Sequence, residues 1–336
     1  MDVFKKVKRE MTAKIFMCAL GYIFVVILSL YIGRIKIPFK DILFMFMNAG
    51  HLENINEMIV LRSRFIRLAA ASLVGAAISV SGACYQGTFQ NPLVSPDLLG
   101  VSAGACVGAA LSILLGVPYG YVQIFAFIGG VGAVFLATTI PKFFQDQKIY
   151  ALVLAGIIVS GLFNSILGLI KYLADPETQL PAITHWQLGS IQLVGTDQLA
   201  YIIFPILGCL IIAYFMRWNL NILSLGEEDA KTLGINLNVV KNIIIVIATV
   251  LTASSVCLTG TISWIGLVVP HFARLLVGND YRKSLPVTIL IGAGILTLID
   301  TLARSLTSAE LPLGIFTGII GAPSYFYFLY AQRKGR

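Results

Sequence analysis

From residue 98 to residue 141 the chain runs for 44 positions without a Lys, Arg, Asp or Glu. A helix needs about 20 predominantly apolar residues to cross the hydrocarbon of a bilayer. The stretch is therefore read as two crossings, divided where Gly116-Val-Pro118-Tyr-Gly120 interrupts helix. Further uncharged runs cover 15–33, 68–96, 149–170, 198–216, 242–273, 284–299 and 311–332. The run 242–273 is expected to break near Gly260 and to hold two spans, the second short. The expectation is an all-α integral membrane protein with about ten transmembrane helices. Only 12% of the residues are charged, about half the usual share in a soluble domain. The first run lacks a small-x-small cleavage site and is long enough to span, so it is read as the first helix and not as a cleaved signal.

Lys and Arg set the orientation. The N-terminal segment carries Lys5, Lys6, Lys8, Arg9 and Lys14, and the C-terminal one Arg333, Lys334 and Arg336. Both termini read as cytoplasmic, which requires an even number of spans. Residues 89–97, 142–148, 217–241 and 274–283 then lie on the cytoplasmic side. The net charge of +8 is mostly these basic loops and calls for no nucleic acid. One outer segment, 34–67, breaks the rule with Arg34, Lys36, Lys40, Arg62, Arg64 and Arg67.

No soluble module or linker divides the chain, so residues 1–336 are read as a single transmembrane domain. Its long connections are the outer segments 34–67 and 171–197 and the inner segment 217–241. The five cysteines lie inside apolar runs with no CxxC pair and read as packing residues, not as a disulfide or metal framework. No GxxxxGK[ST] is present, so the chain holds no ATP in a P-loop of its own. No HExxH is present, and the three histidines are scattered. Acids inside spans are nearly absent, which leaves an ion-coupled transporter without its usual parts. Asp300 and Arg304, four apart on one helix, are placed to pair with each other. Many of the 31 glycines sit among Ala and Ser within spans, as in 314-GIFTG-318, the spacing of close helix crossings.

Five stretches carry a resemblance when taken in order. They are 64-RFIRLAAASLVGAAISVSGACYQ-86 with 89-FQNPLVSPDLLGVSAGA-105, then 186-WQLGS-190, then 225-LGEEDAKTLGI-235, then 260-GTISWIGLVVPHFARLLVGNDYR-282, and finally 300-DTLARSLTSAELPLGIFTGIIGAP-323. The series resembles the FecCD (BtuC-like, type II) permeases, membrane subunits of bacterial ABC importers for iron–siderophores, haem and cobalamin. It covers residues 15 to 332. One departure stands out: where the family often has Arg-x-Pro-Arg, this chain has Arg64-Phe-Ile-Arg67, so the approach to the second span is expected to differ in shape.

The resemblance assigns roles to segments that are otherwise ambiguous. Pro92 and Pro96 stop helix propagation at an inner turn, and Asn91 can bond freed backbone groups. As chemistry this is a sufficient plain turn. The resemblance implies that it narrows the cytoplasmic mouth of the pathway, with Asn91 and Leu93 at the gate and Lys148 and Tyr150 as a second contributor. The segment 225–235 reads as a short helix with acids in its first turn. It is either a solvated connector or, by resemblance, the ATPase-coupling element, with Glu227, Ala230, Leu233 and Gly234 in contact. Arg64, Arg67 and Arg304 either anchor lipid headgroups or, by resemblance, dock the binding protein. Glu310 either shapes that outer surface or caps the last helix. Trp186 is placed in the aromatic belt in preference to the outer cavity, and His271 is read as a packing residue.

The resulting expectation is a non-catalytic permease subunit in the bacterial cell membrane. It works as a homodimer with two cytoplasmic ABC ATPases and an extracytoplasmic substrate-binding protein. It holds no cofactor; ATP and Mg belong to the ATPases. An iron(III)–siderophore is the expected cargo, ahead of haem and cobalamin. The rivals are a secondary transporter or channel independent of ATP, and a membrane enzyme.

Overall fold

The computed structural model describes residues 2–35, 37–47, 55–143, 149–192, 194–225, 236–307 and 310–334. Among these the chain is helical without strands. Its helices are α1 (Asp2–Tyr31), α2 (Phe39–Met47), α3 (Ile55–Thr88), α4 (Val101–Leu114), α5 (Tyr119–Phe143), α6 (Ile149–Leu173) and α7 (Gln179–Leu188). They continue with α8 (Thr196–Phe215), α9 (Arg217–Leu225), α10 (Leu237–Thr259), α11 (Ile265–Val277), α12 (Tyr281–Leu306) and α13 (Leu313–Lys334). A 3-10 turn, Pro96–Leu99, leads into α4. Seven helices, α1, α3, α5, α6, α8, α10 and α12, are long and apolar enough to cross a membrane. Three shorter apolar segments, Val101–Leu114, Ile265–Val277 and Leu313–Phe326, occupy the remaining uncharged runs.

Both expected breaks are present. α4 and α5 part at Gly116, whose φ of +67° suits a residue without Cβ. α10 ends at Gly260, and residues 260–264 cross to α11 without helix. Irregular backbone at membrane depth has no water to bond and must find partners in protein. Here α7 and its following loop supply some of them. Ser190 N–H donates to Thr259 O at 2.7 Å, and Thr261 Oγ1 donates to Gln187 O at 2.6 Å. Leu313 N–H closes the same corner by donating to Gly189 O at 2.9 Å. Trp186, whose carbonyl lies against Gly260 at this corner, is only 9% exposed. The aromatic-belt expectation for it is therefore wrong: α7 folds back onto the bundle and carries the indole inside.

The bundle is built around α3 and α10. Each buries 78% of its apolar window inside the chain, against 11% for α1. α3 packs on α10, α11 and α12. Glycines set the closeness of these crossings. A methyl on Gly75 would strike the carbonyl of Gly292 in α12, and one on Gly82 the carbonyl of Gly266 in α11. Lipid tails provide no hydrophobic drive for helix association, so such backbone contact and buried hydrogen bonds hold the helices. Ser81 Oγ donates to Ala248 O at 2.8 Å and meets Thr252 Oγ1 at 2.6 Å, and Tyr85 Oη pairs with Thr249 Oγ1 at 3.1 Å.

The outer segments expected as loops are partly helical. Residues 34–67 contain α2 and the start of α3, and 171–197 contain α7. Ile66 stands where a proline would interrupt the helix, and α3 runs unbroken through Arg64-Phe-Ile-Arg67. Residues 226–235, the expected coupling element, lie outside the described residues. Their flanks are α9 and the Asn236 cap of α10, whose side chain accepts from Val239 N–H at 3.3 Å.

The Gly82 contact yields a stability test. Gly82→Leu should cost about 3 kcal/mol by forcing α3 from α11, read as a fall of several degrees in the melting temperature of the detergent-purified chain. Gly21→Ala, with nothing within 4 Å of the added carbon, should leave it unchanged.

Candidate functional site

The two ends of the bundle differ in chemistry. Lys14 Nζ donates to Leu276 O at 2.8 Å, so α1 enters beside the end of α11. The α3–α4 turn, α9 and the start of α12 gather at this same end, with Lys142, Arg217, Lys241, Arg274, Arg282 and Lys283. By the positive-inside rule it is the inner end.

The turn after α3 is fixed at its base and open at its tip. Phe89 and Val94 are buried, while Asn91, Pro92 and Leu93 are exposed, Leu93 at 57%. Asn91 Oδ1 accepts from Leu93 N–H at 2.9 Å, an Asx turn of the expected kind. Gln86 clamps the base. Its Nε2 donates to Val94 O at 3.3 Å and to Leu267 O at 3.2 Å, and its Oε1 accepts from Arg274 Nη2 at 2.6 Å. Below the tip, Pro96 packs on Gly266 of α11, and the Leu98 carbonyl fits against Gly156 of α6. Tyr150 is exposed in the first turn of α6, the helix on which the turn rests. Lys148 lies outside the described residues.

Gln90 ties this turn to α9. It holds φ at +50°, a region uncommon for a side chain with Cβ, and its Nε2 donates to Leu223 O at 3.0 Å. α9 is held in turn by Asn221, which donates to Asp280 Oδ1 at 2.7 Å and accepts from Tyr281 N–H at 2.7 Å. Arg282 pairs with Asp280 at 3.1 Å and sits 4.9 Å above the Trp218 ring. Burial pushes the Asp280 carboxyl up, but hydrogen bonds from Arg282 and Asn221 outweigh it and hold the group below the usual carboxylate range. Turn, α9 and α12 thus form one polar junction. The described coupling flank (217–225) belongs to it, whereas Glu227, Ala230, Leu233 and Gly234 lie outside the described residues.

The outer arginines are used differently from the docking expectation. Arg64 is 4% exposed. Its guanidinium lies against Gly33 and donates to Leu30 O and Ile35 O, both at 2.6 Å. Arg304, 7% exposed, donates to Ser29 O and lies 3.9 Å from Asp300, the expected i,i+4 partner. Arg67 bridges Asp300 at 2.7 Å and Glu310 at 2.8 Å. These three cations knit α1, α3, α12 and the loop before α13 together and are not surface groups waiting for a partner. They also explain part of the basic excess on the outer side, since only Arg34, Lys40 and Arg62 of the described residues in 34–67 are exposed cations there. Glu310, at φ +41°, is Arg67's second partner. Sequence reading missed Gln86, Gln90 and Asn221. The available signal was two glutamines four apart, immediately before the turn, in an otherwise apolar run. His271 packs edge-on to Tyr325 with ring centroids 6.4 Å apart, as a packing residue would.

The family model described as the FecCD transport family matches residues 21–332. The chain belongs to that family. It is 35% identical to the molybdate import system permease protein MolB of Haemophilus influenzae over 92% of this chain and 93% of that one. It is also 35% identical to the Fe(3+) dicitrate transport system permease protein FecD of Escherichia coli, over 91% and 95%. A solved metal-chelate type ABC transporter in an inward-facing conformation superposes with a TM-score of 0.84 at 32% identity, covering 95% of this chain and 99% of that one. The FecCD chain described here is accordingly a non-catalytic membrane subunit of an ABC importer, multi-pass in the inner membrane. Such a permease works with ATPase subunits and a substrate-binding protein.

The arginine cluster is testable as a structural clasp. Arg67→Met leaves Glu310 without this partner and Asp300 with Arg304 alone, 3.9 Å away, and should cost about 3 kcal/mol. Adding Glu310→Gln, which removes the acid left without a partner, should recover part of the loss in a detergent melting experiment, whereas Asp300→Asn, which uncouples Arg304, should deepen it.

Proposed function

We propose that two copies of this chain form the pathway of an iron(III)–siderophore importer, with the cargo passing along their two-fold axis. Asn91 and Leu93 form the inner gate, with Lys148 and Tyr150 beside it. Residues 226–235 take the push of the ATPases through Glu227, Ala230, Leu233 and Gly234. The observation that carries this reading is the Gln90–Leu223 hydrogen bond. Through it, a displacement of α9 by a segment docked at its end acts on the turn that bears Asn91 and Leu93. Rigid elements meeting at hydrogen-bonded junctions suit transitions of this kind.

The cargo assignment draws on FecD, named for Fe(3+) dicitrate, and on the metal-chelate type transporter. MolB, named for molybdate, marks how far cargo varies at this level of identity, and haem and cobalamin are the next candidates. The exposed apolar face of α6, with Leu154, Ile158 and Leu162, supports a second copy packed across the axis. At the outer end the exposed cations Arg34, Lys40 and Arg62 suit acids on a binding protein better than Arg64, Arg67 and Arg304, which are engaged within the chain. Rim charges of this kind mainly speed encounter and fix register.

The test is uptake of a labelled ferric siderophore into proteoliposomes containing this chain, its ATPase and the binding protein. Uptake should require ATP and vanish in Glu227→Arg/Leu233→Asp. Gln90→Ala, which removes one hydrogen bond of about 1 kcal/mol, should lower uptake roughly fivefold while ATP hydrolysis persists. ATP hydrolysis stimulated by the binding protein without iron-chelate uptake would overturn the cargo assignment and leave the importer mechanism, with haem and cobalamin as the next substrates to load.

A further inference from the structure

A cavity of about 580 Å³ opens at the inner end between α5, α6 and α10, and no residue of the α3–α4 turn lines it. Its deep wall, farther along α5 and α10 from their inner ends, is mostly apolar, with Val131, Val134, Ile245 and Val250, and carries the hydroxyl of Thr249; Leu152 and Thr138 lie nearer the mouth. Its shallow wall is polar and basic: Lys142 at the end of α5, and Asn238, Lys241 and Asn242 in the first turns of α10. No acid lines it among the described residues. The exposed side chains of Phe135 and Val246 also line it.

The order of these groups with depth is informative. The lysines sit at helix ends, where the inner end of the bundle meets the headgroup layer. The apolar wall continues from them toward the hydrocarbon. A ligand that satisfies both must carry an anion at one end and an alkyl chain at the other. A hydrophilic chelate would leave the valine and isoleucine wall unmatched, and a zwitterionic lipid would bring a second cation to the lysines. We infer that the α5–α6–α10 cavity binds an anionic phospholipid of the inner leaflet, its phosphate between Lys142 and Lys241 and an acyl chain against Val134 and Ile245. Basic pockets between helices on the cytoplasmic side are suited to such headgroups, and each lysine contributes on the scale of a roughly fivefold change in affinity.

The site borders elements with other roles. α10 leads directly from residues 226–235, and α6 carries the turn-supporting Gly156. A bound lipid would therefore brace the outer side of the helices that the proposed coupling moves.

The experiment uses the full-length chain purified in detergent, exchanged against defined mixtures of phosphatidylglycerol and phosphatidylcholine, with bound lipid counted by native mass spectrometry. The wild type should retain phosphatidylglycerol in preference to phosphatidylcholine. Lys142→Gln/Lys241→Gln should weaken that retention about 30-fold, and Lys142→Arg/Lys241→Arg should keep it. Val246→Trp, which leaves both cations and fills the cavity, should also lose the lipid. All of these changes lie at exposed or half-buried helix positions, so the variants are expected to elute as the wild type does. Equal retention of the two lipids would overturn the inference. So would phosphatidylglycerol binding unchanged in the glutamine and tryptophan variants, and so would a cavity covered instead by a second copy or the ATPase, seen as loss of lipid when the complex is assembled.

Discussion

Backbone contact between helices at glycine is the constraint on which this molecule rests. α3 can pass through the middle of the bundle only because Gly75 and Gly82 let the carbonyls of Gly292 and Gly266 come within reach. In a bilayer, hydrophobicity does not tell one helix to prefer another over lipid, so closeness must supply the attraction. The chain reinforces it with hydroxyl pairs at Ser81, Tyr85, Thr249 and Thr252, all buried on the facing sides of α3 and α10. Once α3 is fixed, the positions of α10, α11 and α12 follow.

α3 also links the two ends of the protein. Its outer turns carry Arg64 and Arg67, whose guanidinium groups are spent on α1, the segment after it, α12 and Glu310. Its inner end carries Gln86 and Gln90, which fix the base of the following turn and join it to α9. Buried ion pairs are costly to form and costlier to break singly. That asymmetry makes the outer end a fixed point, while the inner turn is joined to α9 through the neutral Gln90–Leu223 hydrogen bond, weak enough to exchange. This contrast suits a permease that must alter access at one mouth while keeping its frame.

Much of this was legible in the sequence. Absent charge marks the spans, and Gly116-Val-Pro118 and Gly260 mark the breaks, because backbone constraint is written in residue type at the position itself. The inner turn with Asn91 was legible for the same reason. The arginines misled. A charge in sequence reads as surface, and only folding reveals that Ser29, Leu30 and Ile35 offer carbonyls to residues far along the chain. Trp186 failed likewise: its corner is closed by bonds such as Thr261 to Gln187, 74 positions apart. The start of α3 was placed too late because Arg62, Arg64 and Arg67 looked like loop, although Ile66 offers nothing to stop a helix.

The central claim is that the tip of the α3–α4 turn is the inner gate of a two-fold pathway and that the ATPases move it. Its most direct test is disulfide trapping of the Leu93→Cys variant in a chain stripped of its five native cysteines, assembled with the ATPase in liposomes. A covalent dimer should form, with a yield that changes between nucleotide-free and ATP-bound states. A Leu93→Cys chain that never joins its copy, or that joins it equally in both states, would contradict the claim.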